Sequence, residues 1–213
     1  MKLFAHLSDI QQNKVIHCLH GQTKEYRPGD FLFLAGESAP KLGLLLFGQA
    51  HVVKENVLGE SQLIDRLNAG SLFGETFAAM EFDTVPVSVV AKEACRALFL
   101  DMNRLIDQTT PCLEKQQVLA NLMQIIAYKN ERLRKKMSYL THKTIRSRLD
   151  AYFLDQVALG KSQNFFIPYN RTELAEYLCM DRSAMSRELS KMKQEGKVNY
   201  HGKEFYYALE ERK

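Results

Sequence analysis

The feature that most restricts the fold of this chain is a row of residues spaced alternately by four and three: Cys112, Gln116, Leu119, Met123, Ile126, Asn130, Leu133, Met137 and Leu140. Such spacing averages 3.5 residues and keeps one stripe of a continuous α-helix facing a partner along its whole length. The helical register starts near Pro111, so a long helix divides the 213-residue chain into a part before it and a part after it. That helix either packs within its own chain or pairs with its twin in a second copy, and the unbroken heptads favour the twin. Leu119, Met123, Ile126, Asn130, Leu133 and Met137 are the expected dimer contacts, and Asn130 in the seam sets a parallel register at some cost in stability. Leu122 and Ile125 lie off the seam, where they can rest on the preceding domain.

Before the helix, the pattern is that of short strands. Residues 1–20 read as one or two short helices. Phe31–Leu34, Leu42–Phe47, His51–Val53, Ser61–Ile64, Val87–Val90 and Ala97–Leu100 are strand-length runs, punctuated by turns at Pro28-Gly29-Asp30, Gly36, Gly48, Gly59 and Gly70. Six or more short strands at regular spacing argue for an antiparallel sandwich or barrel. Gly48 and Gly70 are expected at corners that a side chain would obstruct.

After the helix, a different code appears. Asn170 with Glu173 three residues on forms a capping box, and Leu174, Ala175 and Leu178 give the helix that follows an apolar stripe. Asp181 caps a second helix whose Met185, Leu189 and Met192 recur at i, i+4 and i+7. Its opposite face holds Arg182, Ser183, Ser186, Arg187 and Ser190. Two short helices around a tight turn, the second with a polar, arginine-bearing face, read as a helix-turn-helix built to enter a DNA major groove. Gly196 suits the end of that helix, and Val198–Tyr200 and Glu204–Leu209 flank a turn at Gly202 to form a wing hairpin. Lys197, His201 and Lys203 are the expected phosphate contacts.

Charge divides along the same line. Residues 1–110 hold 10 Lys and Arg against 13 Asp and Glu, whereas residues 111–213 hold 19 against 12. A mildly acidic first half with a basic second half suits one domain that avoids DNA and one that approaches it. His6, Asp9 and Lys14 interrupt the apolar N-terminus, unlike a secretory leader, and no apolar run nears the roughly 20 residues that span a bilayer. Cys18, Cys95, Cys112 and Cys179 form no C-x-x-C spacing and read as reduced thiols, so a cytoplasmic protein without a membrane partner is expected. No nucleophile–base order, phosphate-cradling glycine loop or metal-ligand spacing points to an enzyme.

With Gly36-Glu37, Gly48, Asn68-Ala-Gly70, Phe73-Gly-Glu75 and the stretch from Arg182 to Gly202, the chain resembles the Crp/Fnr family of bacterial transcription regulators over essentially its whole length. The resemblance implies an α+β fold: an N-terminal antiparallel β-roll of the cyclic-nucleotide-binding type (1–110), a long dimerisation helix (111–138) and a C-terminal winged helix-turn-helix domain (139–213). It also implies a homodimer on a two-fold DNA operator, with RNA polymerase as a further partner. Where cyclic-AMP-binding members carry an Arg-Ser pair, this chain has Val85-Pro86, and no hydroxyl stands at Asn130 to Arg132. A buried phosphate needs a counter-charge, which argues against cyclic AMP. An Fnr-type iron–sulfur centre needs an N-terminal cysteine cluster, and only Cys18 is there. The Fnr-type Glu-x-x-Ser-Arg reader becomes Ser183-Ala-Met-Ser186-Arg187, so a guanine contact by Arg187 is expected with an altered preference near Ser183.

The input remains open. One reading is a small organic or anionic effector near Phe73, Gly74, Glu75, Val85, Pro86 and Val87, joined by Asn130. A second is haem, with His17, Cys18, His20 and His51 as candidate ligands, for nitric oxide or carbon monoxide sensing. A third is no ligand at all, including a plain architectural DNA binder. A fourth is a redox switch at Cys18, Cys95 or Cys112. Any switching hinge is expected between Met137 and Thr141, where the seam ends.

Overall fold

The structure is a computed structural model that describes residues 2–37, 41–55, 61–80, 83–107, 109 and 112–209. The Gly59 turn and Pro111 lie outside them. After a 3-10 turn at Lys2–Phe4, α1 (Asp9–Cys18) starts from a reciprocal capping box between Ser8 and Gln11. Then follow β1 (Gln22–Tyr26), β2 (Phe31–Phe33), β3 (Leu42–Phe47), β4 (Gln49–Glu55), β5 (Ser61–Asn68), β6 (Leu72–Phe73), α2 (Glu75–Ala79), β7 (Ser88–Ala91), β8 (Cys95–Leu100) and α3 (Met102–Ile106). The 27-residue α4 (Glu114–Leu140) comes next. The strands form two four-stranded antiparallel sheets, ordered β1-β8-β3-β6 and β2-β7-β4-β5.

Alternation along the strands builds three layers. On β8, Leu98 and Leu100 point outward and join Leu42, Leu44, Val15 and Leu19, together with Val118 and Leu122 of α4. Ala97 and Phe99 point inward and meet Leu32, Phe33, Ala50, Leu67, Val89 and Ala91 of the second sheet. Helices therefore cover one face of the first sheet, and the second sheet covers the other. Leu122 and Ile125 rest on the sandwich as expected. Asn121, buried among them, donates from Nδ2 to the carbonyls of Leu3 and Ala5, each at 2.9 Å, and so fixes the N-terminal turn to α4.

The six strand runs read from the sequence correspond to β2, β3, β4, β5, β7 and β8. Strand β1 escaped that reading because Gln-Thr-Lys-Glu-Tyr lies at a sheet edge and shows no apolar alternation. At Gly48 (φ 85°) an added Cβ would strike the Ala94 carbonyl, so the corner is obstructed as expected. Gly70 (φ 89°) has open space instead, and its requirement is the left-handed backbone alone.

The chain divides within α4 into two compact units, Met1–Ile126 and Ala127–Lys213. The second holds the end of α4, then α5 (Ile145–Gly160), β9 (Asn164–Phe166), α6 (Arg171–Tyr177), α7 (Arg182–Gln194), β10 (Val198–His201) and β11 (Glu204–Tyr207), with sheet order β10-β11-β9. Its core gathers Leu149, Phe153, Ile167, Leu174, Met185, Leu189, Met192 and Phe205. Cys112, which heads the seam row, is buried in the first unit's core, whereas the described seam residues within α4 belong to no core. Leu119, Met123, Ile126, Leu133, Met137 and Leu140 are 37–68% exposed, and Asn130 is exposed in the same row. Among the described residues no helix is long and apolar enough to cross a membrane.

Candidate DNA-binding face and sensor core

Helices α6 and α7 are set by local code. Asn170 Oδ1 accepts the Glu173 N–H at 2.9 Å, and Glu173 returns a bond to the Asn170 N–H at 2.8 Å. Asp181 Oδ1 accepts the Ala184 N–H at 2.7 Å. Between the helices the chain turns at Cys179 with φ of 50°. The Met180 N–H bonds the Ala175 carbonyl and the Cys179 N–H bonds the Glu176 carbonyl, a Schellman motif with cysteine where glycine is usual. Gly196 ends α7 with the same motif, through Lys197 N–H to Met192 and Gly196 N–H to Lys193.

Met185, Leu189 and Met192 are buried beneath α7, while Arg182, Ser183, Ser186, Arg187 and Ser190 are all exposed on its other side. Neither arginine has an ion-pair partner among the described residues. The Ser190 hydroxyl donates back to the Ser186 carbonyl at 3.0 Å and remains exposed. Exposed hydroxyls and forked guanidinium groups are side chains suited to read base edges and grip phosphates.

Helix α5, which the sequence reading left unassigned, holds this face in place. Arg146 pairs with Glu188 (3.4 Å) and with Glu195 on α7. Arg148 Nη1 donates to the carbonyls of Leu178 and Cys179, each at 2.9 Å, and Nη2 donates to the His142 carbonyl at 3.2 Å. One guanidinium thus ties the end of α4 to the turn between α6 and α7. Asp150 accepts the Tyr207 hydroxyl at 2.6 Å and faces Lys197 Nζ at 3.6 Å, which binds the wing. Arg171 slots its guanidinium over Tyr200 (4.1 Å) and Phe205 (4.8 Å), and burial there lowers its pKa. The available signal was the Thr144-x-x-Ser147 capping box, followed by Leu149, Tyr152, Phe153 and Val157.

The wing adds one contact that the sequence did not show. Lys197 was expected among the phosphate contacts, yet its ammonium is engaged by Asp150 and lies 5.8 Å from the Tyr207 ring. That pairing anchors the start of the hairpin where it leaves α7. His201 and Lys203 stay exposed at the tip, Lys203 donating to the Pro168 carbonyl at 3.1 Å.

In the first unit, the residues read as sensor elements are brought partly together. Phe73 lies between the sheets, where its ring centroid is 5.2 Å from Phe33 and 5.9 Å from Phe99. Gly74 (φ 75°) caps α2, and a side chain there would run into the Phe33 ring. Glu75 is buried at the first turn of α2. Val85 is buried and pairs through its backbone with Gly36 and Glu37, whereas Pro86 is exposed and Val87 half-buried. Asn130 belongs to the second unit.

The haem candidates do not converge. His17, Cys18 and His20 lie at the end of α1 against one face of the sandwich. His51 alternates with the inward Ala50 and Val52, so it points out of the opposite sheet, where burial and the nearby Lys92 and Arg66 lower its pKa. The sandwich itself separates them, and His20 (φ 48°) is used as the left-handed cap of α1. Among the described residues no cluster of three or more His, Cys, Asp or Glu is arranged to hold a metal ion.

A sandwich sensor core, a long helix and a winged helix-turn-helix define a ligand- or signal-dependent DNA-binding regulator. Residues 23–109 match the cyclic nucleotide-binding domain family, and residues 147–211 match the Crp-like helix-turn-helix domain. The chain is similar to the transcriptional activator protein Anr of Pseudomonas aeruginosa, 24% identical over 84% of this chain and 74% of that one. It is likewise similar to the probable transcriptional regulator Flp of Lacticaseibacillus casei, 23% identical over 95% and 89% of the two chains. Among solved structures, the c-di-GMP-responsive global regulator CLP of Xanthomonas campestris shares the fold with a TM-score of 0.61, at 18% identity over 94% of this chain and 99% of that one. The chain belongs to the Crp/Fnr family of transcription regulators.

Proposed function

We propose that this regulator acts as a homodimer, paired along the exposed α4 seam, that places two copies of α7 in successive major grooves of a two-fold operator. Arg182, Ser183, Ser186, Arg187 and Ser190 contact the DNA, with Arg187 on a guanine, while His201 and Lys203 grip flanking phosphates. The observation that carries this reading is the division of α7: a buried apolar row on one side, and on the other five exposed polar side chains, of which, among the described residues, only Ser190 makes a hydrogen bond, back to its own helix. RNA polymerase is the further partner, and the cytoplasm is the compartment.

Control comes from an effector in the β-roll near Phe73, Gly74, Glu75 and Val85 to Val87. The effector is a small organic molecule other than cyclic AMP. Buried Val85 offers no counter-charge for a phosphate, and the ring cluster favours an apolar body.

The test is selection of binding sites from random duplex DNA, followed by footprinting. The reading requires palindromic sites whose half-sites lie about 10 base pairs apart, one helical turn. Enrichment of no sequence, or of an unpaired single half-site, overturns it.

A further inference from the structure

One face of the second sheet looks away from the core. Antiparallel register sets one residue from each strand in a row: Phe31 of β2 opposite Val90 of β7, Val90 opposite His51 of β4, and His51 opposite Arg66 of β5. Cross-strand partners share a face, and the neighbours Leu32, Ala50, Leu67, Val89 and Ala91 all point into the core, so this row points out. Phe31, Val90 and His51, with Val53, Glu55 and Lys92, line an open concavity of about 440 Å³, which is within the size range of small-molecule sites. Its chemistry is polarised. The pairing of β4 with β7 puts Lys92 past His51 at one end, where its N–H bonds the Gln49 carbonyl at 2.8 Å, and Glu55 at the other. Arg66 flanks His51 on the Lys92 side of Val53, so three basic side chains share one end. Phe31 (49% exposed), Val90 and Val53 give the middle an apolar floor.

We propose that this outer trough binds a small aromatic monocarboxylate, with the carboxylate at Lys92, His51 and Arg66 and the ring against Phe31, Val90 and Val53. The site is separate from the Phe33, Phe73 and Phe99 cluster between the sheets. Ammonium and guanidinium groups both suit a carboxylate, and an exposed phenyl ring gains by packing on another flat ring. Glu55 in the same trough opposes further negative charge, which favours a monoanion over a polyphosphate. His51 adds a pH dependence. Burial first, then the Lys92 and Arg66 charges, hold its pKa below the ordinary value. The groups around it are Arg66 from β5, Lys92 after β7, the Phe31 ring from β2 and Glu55 on its own strand. A bound carboxylate favours the imidazolium, so affinity should rise as pH falls through the depressed His51 pKa.

The test is titration of the full chain with sodium benzoate at constant ionic strength, read by NMR on the imidazole signals of its six histidines. The His51 signal is the one lost in His51→Gln. It should shift saturably with benzoate, severalfold more tightly at about pH 5.5 than at about pH 8. Acetate, which lacks the ring, and benzyl alcohol, which lacks the charge, should leave it in place at the same concentrations. Lys92→Met should weaken benzoate binding severalfold with the melting temperature unchanged. Absence of a saturable His51 shift overturns the proposal. So does an acetate shift equal to that of benzoate, an affinity indifferent to Lys92→Met, or tighter binding at the higher pH.

Discussion

Cys179 sets a cost at the centre of the DNA-binding unit, because an L-residue held in the left-handed region loses about 1–2 kcal/mol to Cβ contacts. Cys179→Gly should recover about 0.5–1 kcal/mol of urea stability after the glycine's own entropy loss, with DNA affinity unchanged. A destabilised variant would mean that the sulfur makes a contact the turn needs. Arg148 is a positioning residue of the opposite kind. Arg148→Met leaves three carbonyls without their donor, at about 1–3 kcal/mol for each buried acceptor stranded. It should weaken operator binding while leaving the oligomeric state intact, and Arg148→Lys should not rescue it, since a point-like ammonium cannot reproduce the planar fork whose two nitrogens serve different carbonyls. Unaltered operator affinity in Arg148→Met would refute that role. Cys112 supplies a pH signature: burial pushes its thiol from the ordinary 9.0 up to about 11. The native chain then keeps a proton that the unfolded chain releases. The stabilisation is whole below pH 9 and is lost as pH climbs toward 11. Under reducing conditions the urea midpoint should fall over that window, and Cys112→Ser should flatten the fall.

At the scale of elements, α4 has two faces with different tasks. Val118, Asn121, Leu122 and Ile125 fasten it to the sandwich, and the seam from Leu119 to Leu140 is left exposed. Ile126→Asp should therefore leave single chains in sedimentation velocity at micromolar concentration, with helical content retained; stable dimers would exclude the seam as the interface. Both faces were legible, because period is a property of local sequence. So were the caps at Asn170 and Asp181 and the hairpin around Gly202, where a residue and its partner lie within a few positions. Helix α5 was not legible in the same way. Its Arg146, Arg148 and Asp150 look like an ordinary solvated face until α7, the turn and the wing are brought against them. The pairing of Lys197 was not legible for the same reason, since its partner Asp150 is visible only in three dimensions.

For the whole molecule, affinity and specificity should separate by residue. Arg187→Ala should cost about 1–3 kcal/mol on the selected operator and relax preference at one base pair. Lys203→Ala should weaken selected and random DNA alike and lower the slope of log affinity against log salt by about 1. Equal losses on both DNAs for Arg187→Ala would remove it from the base readers. The sensor was less legible than the reader. Phe73-Gly-Glu75 marked its place, yet nothing in the one-dimensional pattern showed that Phe33 and Phe99 close on Phe73 from different strands. That closure has a kinetic meaning. A molecule that acts between the sheets must wait for the phenyl rings to part, so its observed association rate should climb with concentration and then level off at the opening rate of the cluster. Trimming one ring, as in Phe33→Leu, should raise that plateau, turning a slow, gated response into one limited by encounter.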